Sequence, residues 1–283
     1  MIKIAIQKSG RLTDDTIAML ADCGIKVKQV NSTLRLIVQG FNAEILFLRD
    51  DDIPQYVEDG IADIGIVGEN IMLDKGKNVN LIKRLGYSKC RLSIAVPKAT
   101  NYPNNNWLQG KKIATSYVKI VQNFLDTQNI KAEIHEISGS VEIAPSLGLA
   151  DAIVDIVSSG STLLSNGLKE VAPILNSEAV IIGNKNLTPE NIIILTKLLF
   201  RINAVLTART KKYVLLNAPN NNVANIVKIL PGMKSPTVLP LATNGWSSIH
   251  TVIDETDFWN IIDQLKTLGA EGILVVPIEK MII

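Results

Sequence analysis

Asp151-Ala152-Ile153-Val154-Asp155-Ile156-Val157-Ser158-Ser159-Gly160-Ser161-Thr162 passes from an apolar, β-branched run into a small hydroxyl- and glycine-rich loop. A continuous apolar run of this length reads as a buried strand, and the loop reads as the start of a helix that closes near Gly167. Backbone N–H groups at a helix start point outward without intrahelical partners, and with the helix dipole they favour an anion. Ser158, Ser159, Ser161 and Thr162 line this loop, Gly160 lets the backbone come close to a phosphate, and Asp155 is placed to accept hydrogen bonds from sugar hydroxyls. The same residues also suit a capped helix with a glycine-bearing turn, and spacing alone does not separate the two.

The strand–loop–helix unit repeats on both sides of this stretch. Upstream, Ile2–Ile6, Ile45–Leu48 and Ile64–Val67 read as strands. Thr13 or Asp14 caps a helix through Met19, Leu20 and Cys23, and Asp50-Asp51-Asp52-Ile53-Pro54 opens the next, with acids and a proline in its first turn. After the polar run Thr100–Asn106 come strands at Ile113–Thr115 and Ala132–Ile137 and helices at Val118–Leu125 and Val141–Leu147. This order predicts α/β architecture on a mainly parallel sheet, with a crevice between two lobes as the ligand site. Lobe I takes residues 1–92, with 171–210 returning to it, and lobe II takes 93–170. A long helix follows Thr188-Pro189-Glu190, with Ile192, Leu195, Leu199, Ile202 and Leu206 on one face. Residues 211–283 then read strand, helix, strand, strand, helix, strand, the ferredoxin-like βαββαβ unit, which after an enzyme-sized body suggests a regulatory domain by analogy.

Composition excludes several classes. The 283 residues are 47% hydrophobic and 20% charged, which is ordinary globular usage. A net charge of +2 gives no electrostatic reason to expect nucleic acid. Cys23 and Cys90 form neither a disulfide framework nor a metal spacing. The run Met1–Ile6 is too short for a signal peptide, and no run is read as a membrane helix, so the expectation is a soluble cytoplasmic protein.

Lys8-Ser9-Gly10-Arg11 pairs a glycine loop with two cations, either a phosphate clamp or a solvated turn. Arg49 beside Asp50–Asp52 is a substrate arginine, or the acids hold magnesium, or they simply cap a helix. Glu69 follows a strand end and faces the crevice in this reading, Arg91 enters a strand near the lobe boundary, and Ser116 and Tyr117 begin a helix where a nucleobase or phosphate would lie. His135 and His250 share no motif, and no Ser/His/Asp, Cys/His or zinc arrangement can be assembled. Without a nucleophile, chemistry dominated by positioning and charge stabilisation is favoured, such as displacement of a phosphate leaving group.

In order along the chain, these segments resemble the long-form ATP phosphoribosyltransferase family of histidine biosynthesis. The matching runs include Gln7–Leu12, Arg49–Pro54, Gly65–Asn70, Cys90–Ser93, Ile113–Tyr117, Gly139–Glu142, Gly148–Ala152, Asp155–Leu163, Leu239–Ala242 and Val276–Met281. The resemblance implies a two-lobed catalytic body like the type II periplasmic binding proteins and a C-terminal ACT-like domain that binds the inhibitor histidine. It implies that N1 of ATP displaces pyrophosphate from C1 of phosphoribosyl pyrophosphate, with Mg2+, in a cytoplasmic enzyme that forms dimers and a hexamer. By the same comparison the loop Ser158–Thr162 takes the 5′-phosphate, Asp155 the ribose, and Lys8, Arg11, Arg49 and Arg91 the remaining phosphates, while Glu69 and Glu142 line the crevice. Val118 departs from the pattern, since some relatives have proline after the Ser-Tyr pair. Two lobes closing on a small ligand without catalysis is the rival reading, and an effector sensor on a transcription factor is the third.

Overall fold

In a computed structural model that describes residues 1–28, 33–158, 160–230, 232 and 234–283, the apolar runs become the strands of three sheets. Residues 1–84 give β1 (Ile2–Gln7), α1 (Arg11–Asp22), β2 (Arg35–Ile37), β3 (Ala43–Leu48), α2 (Ile53–Glu58), β4 (Ile64–Gly68), α3 (Glu69–Lys75) and β5 (Asn80–Arg84). Next come β6 (Cys90–Pro97), β7 (Lys112–Thr115), α4 (Val118–Thr127), β8 (Glu133–Glu136), β9 (Ala152–Val157), α5 (Ser161–Ser165), β10 (Leu168–Ser177) and β11 (Ala179–Gly183). The chain then runs through α6 (Pro189–Arg209), β12 (Lys211–Pro219), α7 (Val223–Ile229), β13 (Thr237–Pro240), β14 (Trp246–Asp254), α8 (Glu255–Thr267) and β15 (Glu271–Pro277). Two compact units result, Met1–Leu195 and Thr196–Ile283.

Within the first unit the sheet orders are β2-β3-β1-β4-β11-β5 and β10-β6-β9-β7-β8. Among the described residues only β1 with β3 and β4, and β7 with β8 and β9, pair in parallel. Both sheets are therefore mixed, which corrects the expectation of a mainly parallel sheet. The reason is that the chain crosses from one sheet to the other twice, after β5 and again after β10, and the strands flanking these crossings pair antiparallel. The crossings lie side by side: Leu85 N–H donates to the Ala179 carbonyl at 2.9 Å and Ala179 N–H to that of Tyr87 at 3.0 Å. Strands β6 and β10 run through residues 92–93 and 170–171, where the sequence reading divides the lobes, because each stays paired along its length.

Each lobe buries its own apolar side chains. Ile53, Val57, Val67 and Ile182 belong to one cluster, and Leu92, Ile94, Ile113, Val121 and Leu125 to another. Helix α1 starts at Arg11, with Gly10 as its N-cap in place of the expected Thr13 or Asp14. The Thr13 hydroxyl instead donates back to the Gln7 carbonyl at 2.9 Å, tying the helix to the end of β1. The helix expected over Val141–Leu147 is a single 3-10 turn, Val141–Ile143. Pro145 lacks the N–H that a helix would need there.

Helix α6 is long and apolar enough, by length and composition alone, to cross a membrane, which corrects the sequence reading. Its buried positions are Leu195, Leu198, Ile202 and Val205, so the face is turned from the expected Ile192, Leu199 and Leu206. In the second unit the strand order β13-β14-β12-β15, antiparallel throughout, is that of a ferredoxin-like sheet. Val214, Leu216, Ile226, Ile249 and Phe258 form its core, with Ile273 packed against them. Ile249 and Ile273 thus serve the interior, whereas Tyr213, Leu274 and Val276 are exposed.

Candidate active site

Two loops that leave the carboxyl ends of parallel strands meet across the crevice of the first unit. Strand β1 delivers Lys8, Ser9 and Gly10, all exposed, and the first helical residue, Arg11. Strand β9 delivers Ser158, then Gly160 as the left-handed N-cap of α5, with Ser161 and Thr162 exposed in its first turn. Ser159 lies outside the described residues. The Arg11 guanidinium donates from Nη1 to Ser158 Oγ at 3.4 Å, and that of Arg91 from Nη1 to the Ser158 carbonyl, also at 3.4 Å. Residues far apart in sequence, from both lobes, thus converge on one loop.

Behind them lies a cavity of about 150 Å3 lined by Gln7, Asp50, Asn70, Cys90, Tyr117 and Ser177 among others. The Asn70 N–H donates to Ser177 Oγ at 3.1 Å, and the Ser177 hydroxyl donates to Asn70 Oδ1 at 2.8 Å. Asn70 and Tyr117 line the same cavity. Burial pushes the Tyr117 phenol well above its ordinary value, and the carboxylates of Asp155 and Asp50 add to the shift. Asp155 is itself raised, first by burial and then by Glu142, although the Ile156 N–H donates to its Oδ1 at 2.7 Å. Asp50 is raised by burial and by neighbouring Asp51. The Cys90 thiol is raised by burial, against a Ser177 hydrogen bond and the Arg11 charge, so it is not an activated nucleophile.

Several expected site residues already hold protein partners. Glu69 receives both Arg84 Nε at 3.0 Å and Nη2 at 2.5 Å. Arg91 gives its Nε and Nη2 edge to Glu170, each at 2.5 Å, and Ser93 Oγ donates to the same carboxylate at 2.7 Å. That leaves Nη1 of Arg91 to face the loop. Glu142, half-buried in the 3-10 turn, bears on the site through its charge on Asp155. Arg49 is exposed at the N-cap of a 3-10 turn formed by Asp50–Asp52, and none of these makes a side-chain cap bond. Asp51 pairs with Lys75 at 3.1 Å. Among the described residues no group of three or more His, Cys, Asp or Glu side chains is arranged to hold a metal ion. Arg84, Glu170 and Ser177 carry no motif signal, and Asn70 lies in the matching run Gly65–Asn70 without a role assigned there; their roles arise from pairings with residues remote in sequence.

The family model for ATP phosphoribosyltransferase matches residues 49–213, and that for the HisG C-terminal domain matches residues 208–280. The chain belongs to the ATP phosphoribosyltransferase family. ATP phosphoribosyltransferase of Bacteroides thetaiotaomicron is 58% identical over 283 residues, covering 100% of both chains. That of Cytophaga hutchinsonii is 54% identical over 282 residues, 100% of this chain and 99% of its own. Among solved structures, the ATP phosphoribosyl transferase (HisG:HisZ) complex from Thermotoga maritima aligns with TM-score 0.60 and 29% identity, covering 72% of this chain and 99% of that one. The substrate binding protein of an amino acid ABC transporter aligns with TM-score 0.50 at 14% identity over 73% of this chain and 93% of its own, a likeness of fold alone. The body thus has the two-lobed periplasmic-binding-protein architecture, and membership of the ATP phosphoribosyltransferase family makes the chain a pentosyltransferase of histidine biosynthesis.

Proposed function

We propose that the crevice between the two sheets binds phosphoribosyl pyrophosphate and ATP and transfers the phosphoribosyl group to N1 of the adenine, releasing pyrophosphate. The observation that carries this placement is the convergence of Arg11 and Arg91 on Ser158, next to the loop of Gly160, Ser161 and Thr162. Hydroxyl and backbone donors of that loop hold the 5′-phosphate, Asp155 accepts from the ribose hydroxyls, and Lys8, Ser9, Gly10, Arg11 and Arg49 face the pyrophosphate and ATP phosphates. Tyr117, kept as a neutral phenol by burial, offers a flat surface and one hydroxyl to the adenine. The ring nitrogen is already a nucleophile, so no strong base is required, and charge stabilisation of the leaving group dominates. The described residues do not by themselves form a divalent-cation site, so any Mg2+ belongs with the substrate phosphates, and these roles run through protein side chains.

In this reading residues 211–283 form the regulatory ACT-like domain for histidine, and residues 1–92 and 93–170 supply the two walls of the crevice. The exposed Tyr213, Leu274 and Val276 on the module sheet support self-association as dimers and a hexamer. A cytoplasmic, soluble enzyme suits Lys197 and Arg201, which place two cations in the middle of α6, an expensive arrangement inside a bilayer.

The test is pyrophosphate release by purified protein given both substrates and magnesium. Arg11→Ala is expected to fold normally and lose turnover at least 100-fold, about 2.7 kcal/mol of barrier. Near-parent activity would remove Arg11 from the site.

A further inference from the structure

Tyr117 is the N-cap residue of α4 and makes no side-chain cap bond, since a phenol cannot fold back onto the first-turn amides as Ser or Asp does. Those amides are nevertheless served. Asp74, in the last turn of α3 on the opposite lobe, accepts from Lys119 N–H at 3.0 Å and from Ile120 N–H at 3.4 Å through Oδ1. The contact is returned. The Lys119 side chain lies over Gly76, the left-handed C-cap of α3, so closely that a Cβ built there would collide with its Nζ. One lobe's carboxylate meets the positive end of α4, and the other lobe's ammonium meets the negative end of α3. Asn70, four residues before Asp74 and therefore on the same face of α3, lines the crevice cavity together with Tyr117.

We propose that Asp74 is a positioning residue: with Lys119 it forms a clasp that holds the two lobes closed and sets Tyr117 against the substrate crevice. The proposal rests on the reading of that crevice as the substrate site. With the clasp formed, the closed state is populated before substrate arrives. Without it, binding must also drive closure, and the apparent affinity falls by the closed fraction while the saturated, closed complex is unchanged.

The test compares Asp74→Ala and Asp74→Asn in the full chain, by steady-state kinetics and by hydrogen exchange over residues 115–125 without substrate. Asp74→Ala is expected to raise KM for ATP and phosphoribosyl pyrophosphate together by roughly five- to twentyfold, with kcat within about twofold. Exchange at the Lys119 and Ile120 amides should quicken at least tenfold. Asp74→Asn keeps an acceptor oxygen and should return KM to within about threefold of the parent. Unchanged exchange in folded Asp74→Ala would overturn the clasp itself. Faster exchange with unchanged KM values would overturn the clasp's role in closure, whereas near-parent activity of Arg11→Ala would overturn the reading of the crevice as the substrate site. An Asn variant as impaired as the Ala variant would overturn the capping geometry.

Discussion

Asp155 is held in a place its own ionisation disfavours. Burial and the Glu142 charge raise its carboxyl, against the Ile156 amide that donates to it. A raised acid costs the fold stability once it ionises: the cost is absent below the ordinary carboxylate range and fully present above the raised value. Asp155→Asn removes that cost while keeping an oxygen for the Ile156 amide. The variant is therefore expected to melt at a higher temperature than the parent at neutral pH, with the difference closing in acid, and to lose turnover tenfold or more. Melting curves across pH and pyrophosphate release check the two halves; a variant no more stable than the parent would show that the carboxylate is not strained. Asp155, Arg11 and Ser158 were legible in the sequence because each sits on a strand end or glycine loop whose local pattern announces a site. Asn70 stood in the run Gly65–Asn70 but received no role there, since its partner is Ser177, 107 positions away. Gly68 belongs to the same story: a Cβ there would strike Asn70 Oδ1, a constraint visible only once the side chains are packed.

At the scale of elements, β6 and β10 lie antiparallel and carry Arg91, Ser93 and Glu170 to one point. The Glu170 carboxyl is held below its usual range, chiefly by the hydrogen bonds from Arg91 and further by Ser93, against the effect of burial. This pair contributes stability that is complete above the ordinary carboxylate range and is lost as pH falls through the depressed value. Glu170→Gln is expected to melt below the parent at neutral pH, with the gap narrowing as pH falls below the ordinary carboxylate range and the parent's pair is protonated away. Freed from its partner, Arg91 should also lose its orientation toward the Ser158 carbonyl, so turnover falls with the variant still folded. A gap that stays constant from neutral to acid would show that the pair does not behave as an ion pair. The sequence reading found α1, α4 and the ends of β1, β4 and β9, where an apolar period meets a cap or a glycine. It passed over α3, β5, β10 and β11. These are short or weakly patterned, and their stability comes from pairing with strands remote in sequence rather than from local propensity.

The whole molecule joins a body built on two mixed sheets to a module with a core of its own. The order of elements changes after α6, from strand–loop–helix repeats to a βαββαβ unit, whereas the compact units divide within that helix, between Leu195 and Thr196. The mixed pairing was not legible, because an antiparallel return strand and a parallel one share the same apolar pattern. Val214, Leu216, Ile226, Ile249, Phe258 and Leu265 pack together within residues 211–283, while the clusters beneath the crevice draw on residues 5–182. Arg11, Arg91, Tyr117, Asp155 and the loop at Gly160 all lie in the body. A chain ending after Thr210 therefore keeps every proposed substrate contact and both crevice sheets. If the module is the histidine sensor, that chain should retain measurable pyrophosphate release that requires both substrates and should no longer respond to histidine, whereas the full chain is inhibited. The exposed apolar residues of α6, Ile192, Ile193 and Phe200 among them, make a soluble fraction the preparation to assay. Inhibition that persists in a folded, active truncation would move the histidine site into the body, and the βαββαβ module would then be left with assembly as its role.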